Sequence, residues 1–431
     1  MTEKREITIS IPVLARVEGE GALDLTIRDN RIETLKLSLY EPPRLFEKLL
    51  EGREYHEVPD MVARICGICP VAYQMSAVTA LEQIFTVQPG PWVQAMRRVF
   101  YCGEWLQSHA LHIHLLAAPD FLGFNSAPEM AKVYPDEVRR GLKLQALGNA
   151  LIRLFGGRSV HPVGARTGGF FHAPSVSQVE AIRIDLEQAV KEAEELVTWT
   201  ASLDLPDDQQ DFCSVSLRHD SEYPMMQGRL ASDQGLDIPV EEYEQHFREF
   251  QVPYSTALHS TLNGKPYLVG PLARMNLNLE KLPEATRSVL RATGIRFPST
   301  NMFHSIVARA AEIHFAIVEA IRLLSDYRCP EQAFTETTTQ AGTGYGCTEA
   351  PRGLLWHKYT VDEKGNILGA RIVPPTSQNQ ARIEQDIAAS LQKAGLGLAA
   401  ETLRLRAETV IRNYDPCISC ATHFLTLNVD R

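Results

Sequence analysis

The sequence predicts an α+β fold that is predominantly helical, with long helices around a central metal site, small antiparallel sheets, and the two ends of the chain meeting in one interlocked unit. Three observations predict it. Two C-x-x-C pairs stand at opposite ends, in Arg64-Ile65-Cys66-Gly67-Ile68-Cys69-Pro70 and in Asp415-Pro416-Cys417-Ile418-Ser419-Cys420-Ala421-Thr422-His423. Most of the chain between them repeats its apolar residues at helical spacing. Strand-like alternation is concentrated in two stretches, 7–40 and 355–373. Cys66 and Cys417 are 351 positions apart, so almost the whole chain must close on itself if the pairs share one site. No internal repeat, low-complexity tract or Ser/Gly linker divides residues 1–431, which are expected to form a single unit.

Bulk properties narrow the class. The 431 residues are 44% hydrophobic and 22% charged, the profile of a soluble globular protein. A formal net charge of −10 disfavours a general nucleic-acid binder, which needs a basic face. No run of about eighteen apolar residues predicts a membrane span. The start, MTEKREITISIP, has neither the apolar core of a secretory signal nor a twin arginine, so the expected compartment is the cytoplasm. Eight cysteines in such a compartment are thiols or metal ligands, not a disulfide framework. Four of them, Cys102, Cys213, Cys329 and Cys347, are isolated and read as small buried hydrophobes.

The elements follow in order. Ile7, Ile9 and Ile11 alternate, then Leu23, Leu25 and Ile27, then Ile32, Leu35, Leu37 and Leu39 with one slip, with Asp29-Asn30 as a turn. Ala15–Gly21 links the first two strands, and Glu18 there reads by itself as a turn residue. Pro42-Pro43 ends the sheet, and a short helix is expected from Arg44 to Leu50, stopped near Gly52. The first cysteine pair sits in a loop that feeds a helix from about Ala72 to Phe85, and a helix N-terminus favours thiolate over thiol. A long apolar helix covers 92–117 and carries His109, His112 and His114, which read as core histidines more readily than as ligands. Helices are expected at 136–155, stopped by Gly156-Gly157, and at 176–203, capped by Ser175 or Ser177.

The glycine-rich stretch 156–169 lacks the lysine-serine ending of a phosphate-binding loop and follows a helix, so close backbone packing near a cofactor or partner is the better reading. Residues 205–300 read as a loop-rich excursion with short strands such as Pro266 to Val269. A helix spans 302–327, residues 342–353 read as irregular, and a hairpin pairs Leu355–Val361 with Ile367–Val373. Helices near 378–394 and 398–413 lead into the second cysteine pair.

Four thiolates in two pairs satisfy tetrahedral zinc. The gap between the pairs, however, far exceeds that of a zinc ribbon, and a chain of this size needs no zinc staple. Soft thiolates equally suit nickel and iron. A thiol–disulfide role for Cys66 and Cys69 lacks the nearby βαβ pattern it normally accompanies.

Taken together, the two cysteine motifs resemble the large subunit of nickel–iron hydrogenases, in the cytoplasmic bidirectional branch that includes NAD(P)-linked hydrogenases and sulfhydrogenases. Arg16-Val17-Glu18-Gly19, Ser108-His109-Ala110-Leu111-His112, the Gly-Gly-Arg-x-x-His-Pro run at 156–162, Glu349-Ala350-Pro351-Arg352-Gly353 and Pro375-Thr376 match in order, so the resemblance spans nearly the whole chain. It implies reversible splitting of dihydrogen into protons and electrons. Cys66 and Cys417 would be terminal nickel ligands, and Cys69 and Cys420 would bridge nickel to an iron holding carbonyl and cyanide groups. Arg352 would stand over the open position with Asp120 and Asp415 as partners. Glu18 would take a proton from Cys417, and Pro375 and Thr376 would contact the diatomic ligands. Glu47 and His423 would hold a further divalent ion, magnesium or iron.

The resemblance also implies partners: an iron–sulfur small subunit, flavin-containing NAD(P)-reductase subunits, nickel-insertion proteins and a maturation endopeptidase that removes residues 424–431. Two departures stand out: Tyr73 occupies the place of a histidine common in the family, and the segment after His423 is still present. The rival reading is a non-catalytic scaffold, stapled by zinc or thiolates and akin to the quinone-site subunit of respiratory complex I. That subunit lacks the four cysteines.

Overall fold

The computed structural model describes residues 6–422. Its first sheet is an antiparallel meander of β1 (Glu6–Ile11), β2 (Gly21–Arg28) and β3 (Arg31–Leu39). Asp29 and Asn30 form the turn with positive φ, which their short polar side chains tolerate. Alternation puts Ile7, Ile9, Ile11, Leu23, Leu25 and Ile27 on one buried face. That face shares a core with the C-terminal helices α13 (Pro375–Ala394) and α14 (Ala400–Tyr414), through Ile383, Ile387, Leu403 and Val410. The two ends of the chain are therefore packed together before any site chemistry is considered.

Between them come α1 (Phe46–Leu50), α2 (Val58–Val62), α3 (Pro70–Phe85), α4 (Pro91–Leu111), α5 (Ala118–Phe121), α6 (Ala127–Val133) and α7 (Pro135–Gly156). The short strands β4 (Ala165–Arg166) and β5 (Gly169–Phe170) precede α8 (Val176–Ser202), which Ser175 caps with Gln178 in a reciprocal box. Helices α4, α7, α8 and α12 (Ser305–Leu324) make the main bundle. Helix α4 approaches α7 closely because Gly103 and Gly148 face each other: a Cβ on Gly148 would lie 2.6 Å from the Gly103 carbonyl.

The loop-rich excursion holds β6 (Val215–Arg218), β7 (Arg229–Ser232), β8 (Asp237–Ile238), α9 (Tyr243–His246), β9 (Phe247–Gln251), β10 (Leu258–Leu262), α10 (Pro271–Asn278) and α11 (Glu284–Ala292). A three-stranded sheet of β11 (Gly342–Ala350), β12 (Gly353–Val361) and β13 (Ile367–Val373) and the short α15 (Ile418–Ala421) complete the fold.

The expected fold class stands, and several local expectations change. The long helix at 92–117 ends as α-helix at Leu111, and its last turn, His112–Ala117, is a π-helix. No strand forms at 266–269; Leu268 makes only an isolated bridge to Ser214. Residues 342–350 are strand, not irregular chain, because Gly344 and Gly346 let the strand lie directly on α3. A Cβ there would meet the Ala80 and Ser76 carbonyls at 2.2 and 2.0 Å. The glycine-rich stretch does pack by backbone: Gly164 sits against the Phe155 carbonyl, and His161 Nδ1 lies 2.8 Å from the Ala63 carbonyl beside the first cysteine motif. Among the described residues no helix is long and apolar enough to cross a membrane.

Candidate metal centre

Each cysteine pair is shaped by a helix start. Cys69 is the residue before α3, which opens on Pro70, a position where the missing N–H costs nothing. Cys69 does not cap the helix with its own side chain. Instead Glu104 reaches across from α4, its two oxygens accepting from Val71 N at 2.5 Å and Ala72 N at 3.0 Å. The orphan donors of the helix N-terminus are thus satisfied, and the thiol of Cys69 is left free to face inward. The second pair hangs on α14, whose left-handed C-cap, Asp415 with φ 55°, turns the chain back. Cys417 then enters α15 and is tied to the N-terminal segment by Ile418 N donating to the Glu18 carbonyl at 3.0 Å.

The two pairs meet. Cys66, Cys69, Cys417 and Cys420 are buried, in no disulfide, and their sulfurs lie within 4.8 Å of one another. Cys66 Sγ is 3.4 Å from Cys417 Sγ, Cys69 Sγ is 3.3 Å from Cys420 Sγ, and Cys417 and Cys420 are 2.9 Å apart. The neighbouring sulfurs, Cys417 first and then Cys420 and Cys69, hold the Cys66 thiol well below its usual range, while burial pushes Cys417 up. Four sulfurs turned onto one buried point serve no packing purpose. The donor set fits a thiophilic cation that displaces the remaining protons.

Around the sulfurs the expected residues take distinct places. Glu18 Oε2 accepts from Cys417 Sγ at 3.2 Å and from Ser419 N at 3.1 Å. Burial, then the charge of Cys66, raises the Glu18 carboxyl above its usual range. Arg352 is buried, donating from Nε to the Asp415 carbonyl at 2.8 Å and from Nη2 to Asp415 Oδ1 at 3.0 Å. Its Nη1 has no partner among the described residues. Burial opposes the charge, but Asp415, then the nearby cysteine sulfurs, outweigh it and keep the guanidinium protonated. Thr376 Oγ1 accepts from Cys417 N at 2.9 Å, which leaves its own O–H to donate, and Pro375 opens α13 beside it.

Three expectations need correction or a boundary. Asp120 is not shared with Arg352. Its carboxylate binds Arg412 Nε at 2.7 Å and Nη2 at 2.9 Å, and also Arg16, locking α5 to α14 and to the Glu18 segment. Glu47 is half-buried and accepts from Ile372 N at 2.7 Å; burial raises it to about 7. His423, its expected partner, lies outside the described residues, as does the segment 424–431. The helix histidines are core residues: His109 bonds Glu312 at 2.9 Å, His112 the Arg412 carbonyl at 2.8 Å and His114 the Ala110 carbonyl at 2.9 Å. Tyr73, buried, points its phenol toward Cys420, and its ring lies 5.7 Å from that of His357.

Sequence reasoning missed Glu104, whose one signal is that it is the only acidic residue of α4. It also missed Ser419, whose N–H donates to Glu18 Oε2 and whose Oγ donates to Glu41 Oε1 at 2.9 Å.

Four thiolates alone do not separate nickel from zinc; comparison with known proteins does. The sequence profile of the nickel-dependent hydrogenase family matches residues 44–139 and 227–423. The chain belongs to the nickel-dependent hydrogenases. It is 33% identical over 426 residues to the sulfhydrogenase 1 α subunit of Pyrococcus furiosus, covering 98% of this chain and 99% of that one. It is 28% identical over 464 residues to the β subunit of the NAD-reducing hydrogenase HoxS of Cupriavidus necator, covering 96% and 94%. Among solved structures, a NAD+-reducing nickel–iron hydrogenase in the H2-reduced state superposes with a TM-score of 0.84 at 29% identity, over 97% of this chain and 99% of the other. A nickel–iron–selenium hydrogenase of Dm. baculatum shares the fold, with a TM-score of 0.81 at 22% identity. This hydrogenase large subunit is thus an oxidoreductase with a four-cysteine metal site, and the scaffold alternative is not favoured.

Proposed function

We propose that this hydrogenase subunit catalyses the reversible heterolytic oxidation of dihydrogen to two protons and two electrons, with electrons leaving through an iron–sulfur small subunit to NAD(P). The observation that carries it is the convergence of four cysteines with Glu18 and Arg352 beside them. Cys66, Cys69, Cys417 and Cys420 would hold nickel together with an iron bearing carbonyl and cyanide. When bound, that pair supplies Lewis acidity and a two-electron sink.

The chain's own groups manage the protons. Cys417 Sγ stands within hydrogen-bond reach of Glu18 Oε2. A carboxyl raised by burial is suited to accept a proton and give it up again. Ser419 holds this carboxylate through its backbone N–H, and its hydroxyl is tied separately to Glu41. Arg352 stays charged and orients or polarises dihydrogen rather than deprotonating. Thr376 has a hydroxyl proton to give a cyanide nitrogen, with Pro375 packing beside it. Asp415 orients Arg352, and Asp120 steadies the Glu18 segment through Arg16.

The same reading covers the rest of the assembly. Residues 1–431 act as a single interlocked unit working in the cytoplasm. Flavin-containing subunits pass electrons to NAD(P), in keeping with the NAD-reducing relative. Nickel-insertion proteins load the site, and an endopeptidase removes 424–431. Glu47, with His423, holds a further magnesium or iron ion.

The test is nickel and iron content with an infrared spectrum, on protein produced with its maturation machinery. Nickel, iron and sharp carbonyl and cyanide bands are expected; zinc alone would overturn the reading. Reduction of NAD(P)+ by dihydrogen with the purified complex tests the acceptor. An intact mass that still includes Phe424–Arg431 in the active enzyme would end the processing idea.

A further inference from the structure

The loop that delivers Arg352 is held from behind. It is the turn from β11 to β12, where Ala350 faces Gly353, and its peptide groups are buried and need partners. Three successive carbonyls are each taken by a buried side chain. Trp105 Nε1 donates to the Glu349 carbonyl at 2.9 Å, Arg274 Nη1 to the Ala350 carbonyl at 2.8 Å, and Arg274 Nη2 to the Pro351 carbonyl at 3.0 Å.

Arg274, on α10, is fully buried. Its other donors are also spent: Nε on Glu312 Oε1 at 2.8 Å, Nη2 on Glu312 Oε2 at 2.7 Å, and Nη1 on Glu349 Oε2 at 3.1 Å. A guanidinium has five N–H donors in a fixed plane, and here all are used. The plane itself lies 4.5 Å from the centre of the Trp105 ring. Glu312 is fixed in turn by His109 and by Tyr223 O–H at 2.8 Å. At the start of the same helix, Gly270 abuts Arg352: a Cβ there would lie 2.9 Å from the Arg352 carbonyl. One short segment, 270–274, therefore grips the peptide on both sides of the Arg352 Cα.

We infer that Arg274 is the positioning residue for Arg352, clamping the two carbonyls that precede it so that the Arg352 guanidinium stays beside the four thiols. The inference rests on the reading that Arg352 acts on dihydrogen. A lysine at 274 keeps the charge but lacks the planar fork and cannot hold two carboxylates and two carbonyls at once.

The test is a double-mutant cycle on the assembled holoenzyme, with turnover expressed per nickel bound. R274K is expected to keep nickel and iron and to lose roughly 10- to 100-fold in turnover, the scale of a small misplacement of a reacting group. R352K alone is expected to lose at least as much. If Arg274 acts through Arg352, the double variant is no slower than R352K. Losses that multiply, or that vanish once turnover is divided by nickel, overturn the positioning role while leaving Arg352 in place. Near-normal turnover of R352K removes Arg352 from the chemistry and the inference with it. W105F, which deletes the donor to the Glu349 carbonyl and trims the ring that lies over Arg274, gives the same cycle if R274K does not assemble. A few-fold loss that disappears in the R352K background supports the clamp, and a loss that persists there overturns it.

Discussion

Glu18 and Cys417, 399 positions apart, meet at 3.2 Å, and the contact gives Glu18 a role that its turn context concealed. Glu18→Gln keeps the hydrogen-bond acceptor but cannot take a proton. It should retain nickel and iron yet slow hydrogen–deuterium exchange by about 10²–10⁴-fold, the usual worth of a placed acid–base group. Metal loss in that variant would make Glu18 structural. Arg352→Lys should cut turnover by about 10²–10³-fold, as for other preorganised charged donors. Glu349 carries a pH signature. Burial, opposed by Arg274, raises it from 4.5 to about 7. Across that window the folded chain holds a proton that the unfolded chain has released. Its contribution to stability is therefore full below about pH 4.5 and lost as the pH rises to 7. The unfolding midpoint should show this fall in the wild type, and Glu349→Gln should lack it.

Among the elements, α3 shows how a helix start becomes part of a metal site. Its first N–H groups are satisfied by Glu104 rather than by Cys69. Glu104→Ala should leave two buried donors unpaired, at a cost of roughly 1–3 kcal/mol each. The expected readouts are a lower unfolding midpoint and weaker nickel retention, and Glu104→Gln, with one acceptor oxygen left, should fall between. A variant as stable as the wild type would mean that water replaces the carboxylate. The strand β11 carries the complementary lesson. Its glycines read as punctuation, so the stretch looked irregular. They are there because the Ala80 and Ser76 carbonyls of α3 leave no room for a Cβ. Periodicity found α4, α7, α8 and α12 because each buries a continuous apolar face; no run of comparable length exists in 205–300, where the strands are two to five residues long.

For the whole molecule, closure is the central fact. The N-terminal sheet and helices α13 and α14 share one apolar cluster, and the sulfurs of both cysteine pairs meet inside the fold. Cys66→Ser and Cys417→Ser should therefore abolish both nickel retention and activity. Since the apolar cluster is untouched, they should leave the far-ultraviolet circular dichroism of the subunit close to wild type. Full nickel in an active serine variant would refute the ligand assignment.

By itself the sequence determined the family and the thiol ligand set, because C-x-x-C spacing places two sulfurs on one side of a helix start whatever surrounds it. It also determined the main helices and the terminal meander, whose periods are local. Only the tertiary structure decided which charges meet. Asp120 pairs with Arg412 and Arg16 instead of Arg352, Glu104 caps a helix it does not belong to, and Arg274 holds the turn before Arg352. The physical reason is the same in each case. Apolar burial depends on a repeating pattern that neighbouring residues share, whereas a buried charge answers to whichever donor or acceptor the closed fold brings within hydrogen-bond range.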